Sequence, residues 1–369
     1  MIKKTLADLV SIDSVSSRSN EEIVAYLERR CEALGLITRR LSYRDELGIE
    51  KINLIALTSD VKEVELALVG HTDTVPYDPN WSEATNLTER DGKLFGRGSC
   101  DTKGFIASAL TALENVKPQK PLALIFTADE EIGLRGAKQL AQTKPLHVRY
   151  AIVGEPTSLK PIRAGKGYSL AEVVVKGREA HSAYPALGAS AILRAARLIN
   201  RLESIATKLK DDQHPAFDPP YTTLNIGLIN GGSAKNVLAG ECRFTLEWRP
   251  IPTQPSDHLL NLFKAAIEEE KKADPDFQCE VDANRQDTGF ETSPDSPLIK
   301  LLEKGSGNAS GTVAFGTEAA QMKLLGAESV VIGPGDIREA HRTGEFVPVD
   351  ELERCAEVLR QSIQQLCSS

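Results

Sequence analysis

The sequence predicts an α/β protein in which a mostly parallel-sheet domain carries an inserted β-α-β-β-α-β domain of ferredoxin-like order. Three observations lead there. A chain of 369 residues exceeds what one hydrophobic core serves well, so two domains are expected. Over the first 165 residues, apolar strand-like runs alternate with helical patterns, the rhythm of parallel strands covered on both faces. That rhythm breaks near residue 165 and resumes near 286. The expected division is therefore 1–165 with 286–369 as one domain and 166–285 as the insert.

Each element has its own signal. The first clear helix is expected at "SNEEIVAYLERRCEALG", where Ser19 and Glu22 have capping-box spacing. Ile23, Tyr26, Leu27, Cys31 and Leu34 form its apolar stripe, and Gly35 closes it. Strands are expected at "KINLIALT", "VELALVG", "LALIFTA" and "YAIVG", with helices at "TKGFIASALTALENV" and "LRGAKQLAQT". The insert reads as strand "YSLAEVVVKG", helix "GASAILRAARLINRLESIATKLK", strands "TTLNIGLING" and "GECRFTLEWRP", helix "SDHLLNLFKAAIEEEKKA" and strand "FQCEVDANRQ". The first domain then resumes with "SPLIKLLEKG", "ESVVIGPGD" and a last helix "VDELERCAEVLRQSIQQL". The run "EEEKKADPD" reads as a solvated helix end.

Composition narrows the function classes. A net charge of −8, with lysine and arginine spread along the chain, argues against nucleic acid or an anionic membrane as partner. No apolar run approaches the roughly 18 residues that a membrane span needs. "MIKKTLADLVSIDS" lacks the apolar region of a secretory leader, so a cytoplasmic protein is expected. Cys31, Cys100, Cys242, Cys279, Cys355 and Cys367 form no CxxC pair and read as small hydrophobes in a reducing compartment. Asn86-Leu87-Thr88 and Asn308-Ala309-Ser310 match a glycosylation pattern that carries no weight without a leader.

The residues that interrupt the apolar pattern carry the chemistry. "LALVG" runs into His71 and Asp73, which share a face if the chain stays extended. The turn "FGRGSCDTKG" presents Asp101, "LALIFTADEE" ends in Glu130 and Glu131, "YAIVGEPT" ends in Glu155, and "SVVIGPGDIREAH" leads to His341. Singly, each has a plain reading: a satisfied histidine, acids at a helix N-terminus, a turn aspartate. Together, five segments place acid or imidazole past a strand or turn, and in open α/β sheets such ends converge on one crevice. That set describes a hard-to-borderline divalent site, with zinc the first expectation. No GxSxG elbow occurs, and the glycine-rich stretches match neither a dinucleotide fingerprint nor a P-loop.

With "GHTDTVP", "GRGSCDTKG", "TADEE", "GEPTS" and the "AH" at 340–341 in this order, the chain resembles the M20-type dinuclear zinc amidohydrolases over essentially its whole length. It departs at Cys100 and Thr102, where that family more often has a small residue and a methionine. The resemblance implies a zinc-peptidase-like catalytic domain that binds two divalent ions, with zinc fitting the ligand types and cobalt admitted by them. Asp101 would bridge the ions, His71 and Glu155 would complete one and Glu131 and His341 the other, and the peptide after Asp101 would be cis. Asp73 would fix the tautomer of His71 from behind, and Glu130 would be the general base. His181 in "GREAHSAYP" would hold the oxyanion, reaching the site of the partner subunit in a homodimer formed through the insert.

Asn236 in "GGSAKNVLAG" and Arg249 in "EWRP" resemble substrate-contact positions. Lys166 is expected beside a substrate carboxylate, and Glu318 in "GTEA" near a positively charged substrate tail or as a helix N-terminal acid. His147, His214 and His258 carry no assignment. Within the family, "GTEA" and "GPGDIREAH" read like the branch that hydrolyses N-acetyl-L-ornithine to acetate and ornithine. The implied partner is thus a small N-acyl-amino acid. Branches acting on succinyl-diaminopimelate, acetylcitrulline or dipeptides stay open. A non-catalytic scaffold is disfavoured, because it has no use for an unpaired base beside a metal cluster.

Overall fold

Four strands with nearly unbroken apolar sequence, Leu122–Thr127, Glu63–His71, His147–Val153 and Glu328–Val331, lie parallel and in that order at the centre of a mixed sheet. Parallel strands need crossover connections, and the helices that make them cover both faces. Antiparallel strands flank this centre: Glu50–Leu57 and then Ile37–Arg44 on one side, Ile162–Gly165 on the other. The computed structural model describes residues 1–368.

The chain divides into two units, Met1–Ala164 with Glu291–Gly311 and Thr317–Ser369, and Gly165–Phe290 with Thr312–Gly316. Against the expected insert of 166–285, the second unit also holds Gly165, residues 286–290 and the short return at Thr312–Gly316, which no change of sequence pattern marks.

In the first unit, helices Ile2–Ser11, Glu21–Ala33, Lys103–Leu113 and Val349–Leu366 bury Leu6, Leu27, Phe105, Leu110, Leu352 and Leu359 in one core with the sheet. Helix Lys103–Leu113 sits so close to the strand ends that a Cβ at Gly154 would lie 2.2 Å from the Phe105 ring. Glycine is therefore required one residue before Glu155.

Local readings change, beginning with helix Ile2–Ser11, which precedes the first helix the sequence marks. The helix expected from a Ser19–Glu22 capping box begins at Glu21 with Asn20 at its N-cap. Asn20 makes no cap bond because its side chain pairs with both backbone groups of Ile52 and so pins the helix to the neighbouring strand. Strand Ile37–Arg44 was not anticipated; Arg39, Arg40 and Arg44 obscure its alternation, and it forms a hairpin on Glu50–Leu57.

The second unit is the β-α-β-β-α-β unit, an antiparallel sheet ordered Thr223–Gly231, Glu241–Arg249, Tyr168–Lys176, Gln278–Asp287. Helices Ala191–Leu209 and His258–Ala273 pack on it around Val173, Leu198, Phe244, Trp248 and Phe263. All six cysteines are free, and five are buried. Among the described residues, no helix is long and apolar enough to cross a membrane.

Candidate metal centre

The ends of the central strands bring the expected residues of the first unit to one place. His71 closes strand Glu63–His71, and its Nε2 faces Asp101 Oδ1 at 3.1 Å. The other oxygen of Asp101 faces His341 Nε2 at 3.0 Å, and the same nitrogen lies 3.0 Å from Glu131 Oε1. One carboxylate thus spans two imidazoles. Ligand atoms of His71, Asp101 and Glu131 all lie within 4.8 Å of one another.

The loops are shaped for this. Gly98 has φ +79, and a Cβ there would fall 2.9 Å from both Lys103 Cδ and Thr74 Cγ2, so the turn into Asp101 closes only with glycine. The Asp101–Thr102 peptide is cis, as the resemblance implies. Thr102 donates its hydroxyl to the His71 carbonyl at 3.1 Å, so this departure from the family pattern ties two candidate ligands together. His341 has φ +59, an uncommon left-handed backbone for a residue with a Cβ.

The electrostatics follow from crowding. Burial disfavours a charged His71, yet the hydrogen bond and charge of Asp101, with Glu130 and Asp73, raise its pKa well above the usual imidazole value. Hydrogen bonds to Asp101 and Glu131 raise His341 to about 10. Burial alone would raise Asp101, but the two histidines hold it below the usual carboxylate range. Glu130 is pushed well up by burial and by the charges of Glu131, Glu318 and Asp101, against the pull of His71. Glu155 is pushed up by burial, Asp101 and Glu130. An excess of carboxylates around two imidazoles, whose nitrogens already face those oxygens, is the donor chemistry of a borderline divalent cation.

Asp73 differs from expectation. The ring of His71 is held at Nδ1 by the backbone carbonyl of Asp73, at 2.9 Å, while the nearer carboxylate oxygen stands 3.7 Å away. The chain leaves the strand at His71, so residue 73 no longer shares its face and its carbonyl folds back under the ring. Its carboxylate instead accepts the N–H groups of Glu130 (3.0 Å) and Glu131 (3.2 Å) and the hydroxyl of Ser16 (2.7 Å).

Glu318 is fully buried; its oxygens make no hydrogen bond of good geometry, and the Thr127 hydroxyl is the polar group close enough to favour its charge. Burial pushes its carboxyl up to about 7, with the charge of His71 and the Thr127 hydroxyl drawing it back. Glu345, which nothing in the sequence singled out, accepts the N–H groups of Cys100 (3.0 Å) and Asp101 (3.1 Å) and pairs with Arg97 at 2.5 Å. It lies four residues beyond a candidate ligand, but its partners are more than 240 residues away in sequence, where no spacing rule reaches.

The remaining candidates belong to the second unit. His181 is exposed, and its Nδ1 accepts the Ala183 N–H at 3.1 Å. Asn236 is exposed and gives its carbonyl to the N–H of Ser182. Arg249 pairs with Glu247 at 2.9 Å over the Tyr168 ring. Lys166 is buried and donates to the carbonyls of Pro219 (2.7 Å) and Tyr221 (2.6 Å), so its ammonium braces its own unit where a substrate carboxylate was expected.

Residues 67–365 match the model of peptidase family M20/M25/M40. The chain is 50% identical to the acetylornithine deacetylase of Myxococcus xanthus, over 99% of its own length and 97% of the relative. It is 35% identical to that of Proteus mirabilis, over 96% and 92%. Among solved structures, the aminopeptidase PepT of Bacillus cereus superimposes with a TM-score of 0.77 at 22% identity, covering 100% of this chain and 98% of that one. The YXEP protein of Bacillus subtilis, a dinuclear metal-binding peptidase of the M20 family, does so with 0.66 at 14%, covering 99% and 97%.

Replacing Asp73 by Ala leaves the Glu130 and Glu131 amides and the Ser16 hydroxyl without their acceptor, and each stranded group costs about 1–3 kcal/mol. Urea unfolding of the metal-free protein is expected to show a larger loss for Asp73→Ala than for Ser16→Ala. Equal stability of Asp73→Ala and wild type would refute the anchoring role.

Proposed function

We propose that this chain, which belongs to peptidase family M20/M25/M40, hydrolyses the amide of N-acetyl-L-ornithine to acetate and L-ornithine. The observation that carries this reading is half identity, along nearly the entire chain, to a relative named for that reaction. The enzyme is metal-dependent. His71 and Glu155 would hold one divalent ion, Glu131 and His341 the other, and Asp101, with a histidine facing each oxygen, would be shared. Zinc fits these donors, and cobalt shares them.

When bound, the ions polarise the amide carbonyl and acidify the attacking water. Glu130 takes the water's proton and passes it to the amide nitrogen as the C–N bond breaks, leaving acetate and a free amine. Asp73 holds Glu130 in place through its backbone amide. Glu318, buried and with no cation paired to it among the described residues, supplies the negative charge for the ornithine ammonium, and Asn236 and Arg249 contact the rest of the substrate.

His181 supplies the oxyanion donor. Because its Nδ1 accepts a backbone N–H, the neutral ring carries its proton on Nε2, free to donate. The donor acts in a homodimer formed through the second unit. Thr223–Gly231 is an edge strand exposing Leu228 (72%) and Ile229 (56%), and Leu193 (65%) is exposed on the neighbouring helix, apolar surface that a second copy would cover.

The reading is tested with metal-reconstituted protein on a panel of acyl-amino acids. N-acetylornithine is expected to exceed succinyl-diaminopimelate and acetylcitrulline in kcat/KM, with close to two equivalents of zinc per chain retained after desalting. Preference for the succinyl substrate would transfer the chain to another branch.

Glu130→Ala is expected to retain its metal and lose about 10² to 10⁴ in kcat. Loss of metal instead would make Glu130 a ligand and exchange its role with that of Glu131.

His181→Ala is expected to lose on the order of 10² to 10³ in rate while keeping metal and dimer. Mixing it with a Glu130→Ala chain regenerates one working site per mixed dimer if the histidine serves the opposite subunit. A mixture as inactive as both parents would exclude action in trans.

A further inference from the structure

We propose that Glu345 is a positioning residue that sets Asp101 relative to His341, and that it acts as a hydrogen-bond acceptor rather than as a charge. The proposal rests on reading Asp101 and His341 as metal ligands. Glu345 is completely buried, and one of its oxygens, Oε1, accepts the backbone N–H groups of both Cys100 and Asp101. The other oxygen receives Nη1 of Arg97 at 2.5 Å, and the same guanidinium reaches the carbonyl of Pro76 at 3.3 Å through Nη2. The Gly96 N–H donates to the Glu345 carbonyl at 3.1 Å, so main chain and side chain both bind the loop that presents Asp101.

Glu345 belongs to the turn that presents the other ligand. The His341 backbone is left-handed, Gly344 has φ +82, and the Glu345 N–H bonds back to the Arg342 carbonyl at 3.3 Å, so the five residues form one tight unit. A carboxylate at the end of that unit, clamped on consecutive amides at 100 and 101, fixes how far Asp101 Oδ2 stands from His341 Nε2. Two loops joined only through their ligands would drift, and a metal site loosened by a fraction of an ångström binds more weakly.

The same carboxylate also neutralises buried Arg97, which is a stability role, and the two can be separated by chemistry. Glutamine at 345 keeps a carbonyl oxygen for the two amides but removes the charge; alanine removes both. Metal-stripped wild type, Glu345→Gln and Glu345→Ala are titrated with zinc against a competing chelator, and thermal unfolding is followed by circular dichroism. Both variants are expected to lower the unfolding midpoint, because both leave the Arg97 guanidinium uncompensated. Only Glu345→Ala is expected to lose about 10- to 100-fold in zinc affinity, with Glu345→Gln close to wild type.

Repeating the pair in an Arg97→Met background removes the stranded guanidinium and preserves the comparison should Glu345→Ala alone not fold. Wild-type zinc affinity in Glu345→Ala, or affinity falling in step with the midpoint in both variants, would overturn the proposal. Absence of zinc binding by wild type would instead overturn the metal reading on which it rests.

Discussion

The constraint on which this centre depends is the repulsion among acids collected past the ends of the parallel strands. Asp73, Asp101, Glu130, Glu131, Glu155 and Glu318 act on a pair of imidazoles and on one another, and burial raises the cost of every charge left uncompensated. Burial and the neighbouring acids push the Glu130 and Glu155 carboxyls up, and the facing carboxylates raise both histidines. Such an arrangement is poor as a structural core and suited to binding divalent charge.

The surrounding chain is built to resist that repulsion by tying backbone rather than side chains. Asp73 anchors the amides at 130 and 131, Glu345 those at 100 and 101, and Thr102 the carbonyl of His71. Backbone anchors leave the candidate ligand side chains free while fixing the points from which they reach. They also explain the glycines: at 98 and 154 the chain passes where a Cβ would strike Lys103 or Phe105, because the helix starting at Lys103 must lie directly under the strand ends.

What could be read in advance follows from the range of each interaction. The central strands and the longer helices of both units carry their period in consecutive residues, and their observed limits fall close to the expected runs, whereas helices Ile2–Ser11 and Ala319–Leu324 are marked by no expected run. His71, Asp101, Glu131 and His341 were legible because polar residues interrupt an apolar pattern at fixed places. Strand Ile37–Arg44 was hidden by its arginines. Glu345 and the anchoring role of Asp73 were hidden because their partners are distant in sequence, and Lys166 because an isolated lysine gives no sign of the two carbonyls that enclose it. Sequence pattern reports what local periodicity and residue type require; it does not report which backbone amide a carboxylate finds.

The distribution of donors bears on the chemistry. In the first unit the buried cations each face an acceptor, Lys51 with Asp129, Lys103 with the Ile12 carbonyl and Arg97 with Glu345, although Arg97 Nε makes no hydrogen bond. Its two site histidines already face carboxylates. A centre so rich in acceptors has little with which to hold a developing oxyanion apart from the ions it binds. His181, by contrast, is exposed and has its Nδ1 satisfied by the Ala183 N–H within its own turn. An imidazole whose Nδ1 is already an acceptor leaves Nε2 to carry the proton of the neutral ring, which is the chemical reason the proposal gives His181 the part of a donor.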